Sequence, residues 1–257
     1  MSRIICIANQ KGGVGKTTTA VNLAASLAAA ERPTLLVDID PQGNATSGVG
    51  VDKAGLRHTV YDTLINEADP KEVVVDTGYP FLHIMPANSD LAGAELELAA
   101  EIGREQKLKF ALAPLAEQYR YIIIDCPPSL NLLTINAMTA ADSVLIPLQC
   151  EFYAMEGFSQ ILHTISLIQK LLNPLLTIEG VLLTMYDGRS NLGKDVAEEI
   201  RGHFPGQVFE TVVPRNIRLA EAPSHGKPVI YYDITSRGAT TYMQLAREII
   251  QRETANA

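Results

Sequence analysis

The sequence contains only three cysteines and no hydrophobic run long enough to cross a membrane. Because these cysteines lack paired spacing, they provide neither a disulfide framework nor a zinc site, and a reducing compartment is expected. A membrane-spanning helix needs about 20 mostly apolar residues. The short apolar run after Arg3 leads directly into a glycine-rich loop, which predicts a strand and not a signal peptide. With no targeting segment visible, we expect a cytoplasmic protein.

Positive charge is also scarce, since 21 Lys and Arg face 29 Asp and Glu and the net charge is −8. A protein that coats DNA permanently is normally basic, because neutralised phosphates supply most of the non-specific affinity. The acidic balance therefore counts against such a role unless the positive charges gather on one face. The 47% hydrophobic content suffices for a substantial core and argues against extensive disorder.

Short apolar runs alternate with helical stretches along the chain. Most of the runs are continuously apolar, as expected of parallel strands covered on both faces. This alternation predicts an α/β fold, with a doubly wound, mostly parallel β-sheet flanked by helices, in a single domain over residues 1–257 whose last residues are frayed. The predicted strands are Arg3–Ala8, Thr34–Ile39, Phe81–Met85, Tyr121–Asp125, Val144–Pro147, Ile178–Met185 and, more weakly, Gln207–Val212. The predicted helices are Lys16–Ala30, Asp90–Ala100, Glu105–Glu117, Phe152–Leu172, Asp195–His203 and Thr240–Arg252, with an irregular segment at 41–72.

A glycine-rich loop follows the first predicted strand and precedes a predicted helix. Such a loop binds phosphate through successive backbone N–H groups, and glycine allows their close approach and the positive φ angles they need. The helix N-terminus adds further N–H donors. Lys16 supplies a point charge for the β- and γ-phosphates and the Thr17 hydroxyl suits Mg²⁺, which makes an ordinary glycine turn the weaker interpretation. The predicted nucleotide-binding residues of this loop are Lys11, Gly12, Gly13, Val14, Gly15, Lys16, Thr17 and Thr18.

Carboxylates follow two further predicted strands. Asp38 and Asp40 end a buried strand that Pro41 prevents from continuing, and their i, i+2 spacing points both side chains to the same side. A doubly wound sheet places its ligands at the carboxyl ends of its strands. Asp125 ends a second hydrophobic strand, a pattern typical of the Walker B carboxylate that coordinates Mg²⁺, usually through water. The predicted metal-site residues are Thr17, Asp38, Asp40 and Asp125.

The sequence Lys-Gly-Gly-Val-Gly-Lys-Thr-Thr resembles the deviant Walker A motif of the ParA/MinD group of P-loop ATPases. The later motifs resemble the ParA/Soj branch of that group in wording and in order, and the resemblance covers essentially the whole chain. The segments that carry it are 11–18, 35–44, 125–129, 180–192, 213–223, 226–228 and 232–233.

The resemblance implies an ATPase that binds ATP and Mg²⁺ and forms a homodimer when it does so. Lys11 is then expected to reach the nucleotide of the partner, similar in physics to an arginine finger, and Gly12 to leave room for the facing loop. Asp40 is expected to orient or activate the attacking water, with Asp38 supporting the site. The expected catalytic residues are Lys11, Lys16 and Asp40, and the expected adenine-binding residues are Met185, Pro214, Arg215 and Asn216.

The same resemblance implies that the ATP-bound dimer binds double-stranded DNA without sequence specificity. It further implies chromosome or plasmid partition with a ParB/Spo0J-type centromere-binding protein, at the nucleoid and without a membrane partner. Arg189 and Arg218 occupy the matching DNA-binding positions and Lys227 is a weaker candidate, the alternative for each being a solvated surface charge. Dimerisation would double the phosphate contacts, which reconciles DNA binding with an acidic chain.

Three alternatives remain open at this point. A MinD-like ATPase acting on a membrane or a protein assembly would need a C-terminal helix rich in Lys and bulky apolar side chains, whereas residues 248–257 are mixed in charge. An iron–sulfur protein would need exposed cysteine pairs across a dimer, but Cys6 and Cys126 are expected in core strands and Cys150 has no companion. A module that binds ATP without hydrolysis is disfavoured by the intact lysines and carboxylates.

Overall fold

The computed structural model describes residues 2–151 and 154–256. Within them, one sheet contains the strands β1 (Arg3–Ile7), β2 (Thr34–Asp38), β3 (Val75–Asp76), β4 (Leu82–Met85), β5 (Tyr121–Asp125), β6 (Ser143–Gln149) and β7 (Thr177–Thr184). The strand order is β3-β4-β2-β5-β1-β6-β7, and all neighbours are parallel except β3 and β4. The predicted α/β fold with a mostly parallel sheet flanked by helices is confirmed.

Helices cover both faces of this sheet. Their bounds are α1 (Lys16–Ala29), α2 (Asn44–Gly48), α3 (Val60–Ile65), α4 (Pro70–Val73), α5 (Ala94–Leu98), α6 (Lys107–Leu112), α7 (Leu132–Ala140), α8 (Ala154–Leu171), α9 (Asn191–His203), α10 (Ile217–Glu221), α11 (Val229–Tyr232) and α12 (Arg237–Asn256). Successive strand residues divide between two core clusters, with Leu35 and Ile122 on one face and Leu36 and Ile123 on the other. Because both faces are buried, the strands are continuously apolar.

The strand register brings the carboxyl ends of the central strands together. Asp125 at the end of β5 pairs with Asp38 of β2 on one side and with Ile7 of β1 on the other. The glycine-rich loop leaves β1 at this same edge and enters α1. One edge of the sheet therefore carries the phosphate loop next to two adjacent acidic strand ends, those of β5 and β2.

The segment Gln207–Val212 does not form the predicted strand. Within the described residues it makes one isolated parallel bridge, between Val181 and Val208, and it follows β7 through a few backbone hydrogen bonds. At Gly180 the ring of Phe209 fills the space that a side chain would take, since an added Cβ would lie 2.7 Å from it. Packing of this aromatic ring thus replaces a regular ladder at the edge of the sheet.

The predicted helices in the middle of the chain are shorter than expected. The Asp90–Ala100 stretch divides into a 3₁₀ turn and α5, and Glu105–Glu117 contains α6 and two 3₁₀ turns. Pro114 cannot donate a backbone hydrogen bond and ends α6. Helix α7 was not predicted, and the segment 41–72 holds three short helices. The predicted start of one helix at Phe152 lies outside the described residues.

Candidate active site

The phosphate-binding loop has the backbone that its glycines allow. Gly13 and Gly15 have φ angles of 76° and 88°, in the left-handed region that L side chains rarely adopt. Gly15 is the N-cap of α1, no side chain caps the helix, and its first turn contains no acidic residue. The free N–H groups and the positive end of the helix dipole are therefore available to an anion.

Lys16 holds a positive charge in a dry position within this loop. The residue is 7% exposed, and its Nζ donates a hydrogen bond of 3.0 Å to the backbone oxygen of Lys11. Burial lowers the pKa of Lys16, while the nearby carboxylates of Asp125 and Asp40 oppose that shift. A phosphate group would replace the single neutral acceptor by a charged one, which strengthens the interaction.

Asp38 is buried and fully engaged in hydrogen bonds. Its Oδ1 accepts from the backbone N–H of Asp40 at 3.1 Å, and its Oδ2 accepts from the N–H and the hydroxyl of Thr46, both at 2.8 Å. The same hydroxyl accepts from the N–H of Ala87 at 3.0 Å. Burial raises the pKa of Asp38 to about 6 despite these bonds. Asp38 thus fixes the loop that carries Asp40.

Replacing Thr46 with valine is expected to destabilise the protein by about 1–3 kcal/mol, because the buried Asp38 Oδ2 loses one of its two hydrogen bonds and the Ala87 N–H loses its partner. The pKa of Asp38 should rise further, since one hydrogen bond that lowers it is lost. Urea unfolding at pH 7 measures the change. Thr46→Ser, which keeps the hydroxyl, is the control, and equal stability of the valine variant and the wild type would contradict the assignment.

Asp125 is completely buried, and neither carboxylate oxygen has a hydrogen-bond partner among the described residues. Burial raises its pKa well above the ordinary value and the charge of Asp38 adds to this, while the nearby Thr17 hydroxyl and Lys16 oppose it. A buried carboxylate without partners is costly, so its presence calls for an explanation. A cation bound beside the Thr17 hydroxyl would provide one.

The side chains at this position fit Mg²⁺. No group of three or more His, Cys, Asp or Glu residues that could hold a metal occurs in the described part of the chain. Mg²⁺ does not need such a cage, because it keeps several waters and is bound by one or two carboxylates together with substrate phosphates. The Thr17 hydroxyl and the unpartnered Asp125 beside a phosphate loop match this pattern.

Asp40 lies at the wall of a cavity of about 290 Å³ that is also lined by the phosphate loop. The residue is 6% exposed, and its Oδ1 accepts a hydrogen bond of 2.9 Å from the N–H of Gln42. The cavity is lined by Gly12, Gly13, Gly15, Lys16, Thr17, Thr18, Asp40, Asn44, Pro128 and Met185. The structure therefore brings Asp40, Lys16 and Thr17, predicted separately from the sequence, to one cavity.

A second cavity, of about 200 Å³, continues from Gly15 and contains all four residues predicted to hold the adenine. Its lining is Gly15, Thr18, Thr184, Met185, Val213, Pro214, Arg215, Asn216, Leu219, Ala220 and Tyr242. Met185 has a positive φ of 49°, a strained conformation for such a side chain, directly after β7. The Thr184 hydroxyl donates to the backbone oxygen of Val14 at 2.8 Å, which joins β7 to the phosphate loop.

Lys11 stands at the outer side of the loop. Its Nζ forms an ion pair of 2.9 Å with Glu151 of the same chain, and its side chain is 36% exposed. Gly12 is exposed and has no atom within 4 Å of the place where a Cβ would stand. Lys11 thus pairs with a carboxylate outside the phosphate cavity, and its partly exposed side chain is accessible to another molecule.

The residues predicted to bind DNA do not share one pocket. Arg189 is bound to Asp187 by an ion pair of 3.0 Å, and Arg218 is paired with two carboxylates. Lys227 is exposed and lines a separate cavity next to Thr17 and Thr18.

Several residues of the site carry no signal in the sequence. Thr46 is an isolated hydroxyl eight residues beyond Asp38, and only the fold shows that it bonds the buried carboxylate. Thr184 and Tyr242 reach the nucleotide cavity from β7 and α12. The cysteines are free thiols, with Cys6 and Cys126 buried and Cys150 partly exposed, so the expectation of core positions for the first two is confirmed.

Known proteins are similar to this chain in sequence and in fold. A family model described as an AAA domain matches residues 2–178. The chromosome partitioning protein ParA of Myxococcus xanthus is 59% identical over 254 residues, which span 99% of this chain and 90% of that protein. The sporulation initiation inhibitor protein Soj of Bacillus subtilis is 59% identical over 249 residues, 97% of this chain and 98% of that protein.

A solved structure supports the same assignment. Cobyrinic acid a,c-diamide synthase from Mycobacterium smegmatis, with bound ATP analogue and magnesium, superposes with a TM-score of 0.88 at 38% identity, covering 100% of this chain and 98% of that one. The ligands of that structure, an ATP analogue and magnesium, agree with the predicted cofactors ATP and Mg²⁺. No helix in the described part of this chain is long and apolar enough to cross a membrane. The chain belongs to the ParA/Soj family of P-loop ATPases.

Proposed function

We propose that this protein is a switch ATPase of chromosome or plasmid partition, which dimerises on ATP, binds DNA in that state and is reset by hydrolysis. The observation that carries the proposal is a cavity lined by a glycine phosphate loop, the buried Lys16 and Asp40, with the buried and unpartnered Asp125 close to Lys16 and Thr17 behind its wall. Full-length similarity to the ParA and Soj proteins supports the biological role.

Each residue of the cavity has a distinct part in hydrolysis. The loop N–H groups and Lys16 hold the phosphates and stabilise the charge that develops on them. Thr17 and, through water, Asp125 would hold Mg²⁺, which would supply positive charge to the phosphates. Asp40 orients the attacking water. Because both Asp38 oxygens are already engaged, we assign it the positioning of Asp40 and not direct contact with the metal.

Dimerisation is proposed to complete the site. Lys11 exchanges its exposed ion pair with Glu151 for the nucleotide of the partner, and an exposed pair of this kind costs little to break. Gly12 lets the two loops approach face to face. The base lies against Met185 and the turn formed by Pro214, Arg215 and Asn216.

The proposed output is sequence-independent DNA binding at the nucleoid. Arg189 and Arg218, with Lys227 as a weaker contributor, supply positive charge on an acidic body. Two aligned copies double the phosphate contacts, so the ATP state and not the monomer holds DNA. A ParB/Spo0J-type protein is the proposed partner that stimulates hydrolysis. Intrinsic turnover is expected to be slow, because a switch must persist in its ATP state.

The C-terminal helix gives no support to a membrane-positioning role. Helix α12 extends to Asn256, beyond the predicted end at Arg252. Glu253 near its end accepts a hydrogen bond of 2.6 Å from the Tyr121 hydroxyl and pairs with Arg120. This end of the helix is thus attached to β5, which leaves the partition role as the proposal.

The decisive variant is Asp40→Ala, which should bind ATP without hydrolysing it. Size-exclusion chromatography is expected to show a monomer without nucleotide and a stable dimer with ATP and Mg²⁺. DNA binding, assayed on the same fractions, should appear only in the dimer. Adding Arg189→Ala or Arg218→Ala to this variant should weaken DNA binding and leave the dimer intact.

Two outcomes would overturn parts of this proposal. A variant that stays monomeric in ATP would exclude the dimer, and one that dimerises without gaining DNA affinity would exclude DNA as the output. The matched control is Asp195→Ala, because Asp195 is exposed on α9 and makes the same charge change away from the cavity. It should dimerise transiently and hydrolyse ATP at the wild-type rate.

A further inference from the structure

A large polar cleft lies next to the base pocket, between the end of β7 and the beginning of α12. Its volume is about 940 Å³, and its lining includes three arginines, Arg189, Arg215 and Arg237, but only one carboxylate, Asp187. Thr235 and Thr240 add hydroxyl groups. On a chain with a net charge of −8, this cleft is a local concentration of positive charge.

The arginines differ in whether their charge is already neutralised. Arg189 donates two hydrogen bonds of 3.0 Å to Asp187, and the pKa of Asp187 is lowered to about 2 by this pairing. Arg218, outside the cleft, is paired with Glu221 at 2.7 Å and with Asp233 at 3.2 Å. By contrast, Arg215 and Arg237 form no ion pair with any described residue.

The charge of Arg237 does not stabilise its own helix. Arg237 is the first residue of α12, where the positive end of the helix dipole disfavours a cation, and the first turn contains no acidic residue to offset it. A charge that gains nothing from its own helix and has no ion-pair partner is open to an external anion.

Arg215 connects this cleft with the nucleotide site. It lines the cleft and also lines the cavity expected to hold the adenine. Its backbone N–H is tied to the Tyr186 oxygen at 3.4 Å, and Tyr186 also lines the cleft. A base seated in that cavity would restrict the Arg215 side chain, so less conformational entropy remains to be lost when an anion binds.

We propose that Arg215 and Arg237 bind phosphodiester groups of double-stranded DNA in this cleft, and that they contribute more to the interface than the ion-paired Arg218. A guanidinium presents paired donors that match two phosphate oxygens. A bound phosphate has no carboxylate to displace at Arg215 or Arg237, whereas at Arg218 it must replace two. This inference rests on the proposed DNA-binding function.

The test compares Arg237→Ala with Arg247→Ala in the presence of a non-hydrolysable ATP analogue and Mg²⁺. Both residues are exposed on α12 and both variants remove one positive charge, but Arg247 does not line the cleft. DNA affinity is measured between 50 and 200 mM salt, conditions over which lost phosphate contacts show as a changed slope. Arg237→Ala removes one phosphate contact per protomer, which is two contacts per dimer. The negative slope of log Kobs against log salt concentration should therefore become less steep by about 1.8. Arg247→Ala should retain the wild-type slope.

Further variants and probes separate the possible outcomes. Arg215→Lys keeps the charge and loses the paired donors, so it should also lower DNA affinity. Equal slopes for the Arg237 and Arg247 variants would overturn this inference while leaving the proposed function standing. A wild-type dimer that binds no DNA would overturn both. If inorganic phosphate at millimolar concentration binds in the cleft and DNA does not displace it, the cleft is a small-anion site. That result would overturn the assignment to DNA.

Discussion

The Lys16→Ala variant is expected to lose about 10²- to 10³-fold in ATPase turnover, the effect typical of removing one preorganised electrostatic donor from an active site. Lys16 is buried beside the phosphate cavity and donates to a backbone oxygen of the same loop. Among the residues that the structure describes, no other lysine or arginine lines this cavity. Without Lys16 the carboxylates of Asp40 and Asp125 would face the phosphates with less compensating charge, so ATP affinity should fall as well.

Phosphate release and equilibrium binding of a fluorescent ATP analogue measure the two losses separately. The control is Lys109→Ala, which removes an exposed lysine of α6 and changes the net charge by the same amount. This control should hydrolyse ATP at the wild-type rate. Wild-type turnover by Lys16→Ala would show that the loop does not hold the reacting phosphates.

The second large effect is expected at Asp125, where stability and activity should change in opposite directions. Asp125→Asn removes a buried charge that has no hydrogen-bond partner, and it should stabilise the nucleotide-free protein by about 1–3 kcal/mol. The same change should reduce Mg²⁺-dependent turnover by about 10²-fold or more, because the amide no longer holds the metal-bound water. The site thus retains a destabilising carboxylate for a functional reason.

The free energy of unfolding should also depend on pH, in a direction set by the pKa shifts of the two buried carboxylates. The pKa of Asp125 is raised above its unfolded value, and that of Asp38 is raised to about 6. The folded protein therefore binds more protons than the unfolded chain, and stability falls as the pH rises from about 4 through these folded values. Asp125→Asn should flatten the decline, since one of the two groups no longer titrates.

Urea unfolding of the nucleotide-free protein from pH 4.5 to 8 tests the stability, and the rise in Tm on adding ATP and Mg²⁺ tests the binding. The wild type should gain more from the ligands than Asp125→Asn does. Asp195→Asn, at an exposed position on α9, is the control and should match the wild type in both assays. A variant less stable than the wild type at pH 8 would mean that the Asp125 charge is compensated in the folded protein.

The sequence by itself determined the elements whose geometry is local. The left-handed backbone at Gly13 and Gly15 follows from residue type, and a lysine and a hydroxyl after it define a phosphate loop. Continuous apolar runs identified the parallel strands, because strands buried on both faces have no polar side. Asp38 and Asp125 were placed correctly at strand ends for the same reason.

Features that depend on strand order could not be read from spacing. The sheet places β2 and β5 side by side, which puts Asp38 next to Asp125 although 87 positions separate them in the chain. Burial raises the pKa of both carboxylates, and the charge of the neighbouring Asp38 raises the pKa of Asp125 further. The weak strand at Gln207–Val212 was predicted wrongly because packing of the Phe209 ring against Gly180, a long-range contact, decided the local conformation.

For the charged side chains, too, the sequence determined which residues are present and the tertiary structure determined their partners. Sequence supplied the arginines and the acidic total. Only the tertiary structure paired Arg218 with two carboxylates and placed Arg237, which has no ion pair with a described residue, in a cleft beside Arg215. The tertiary structure also brought Lys11 into an ion pair with Glu151, which lies 140 residues further along the chain. The type of chemistry was fixed by short motifs, since a phosphate loop is built from consecutive residues. Which charges remain available to a ligand depends on distances between segments, and those distances exist only in the folded chain.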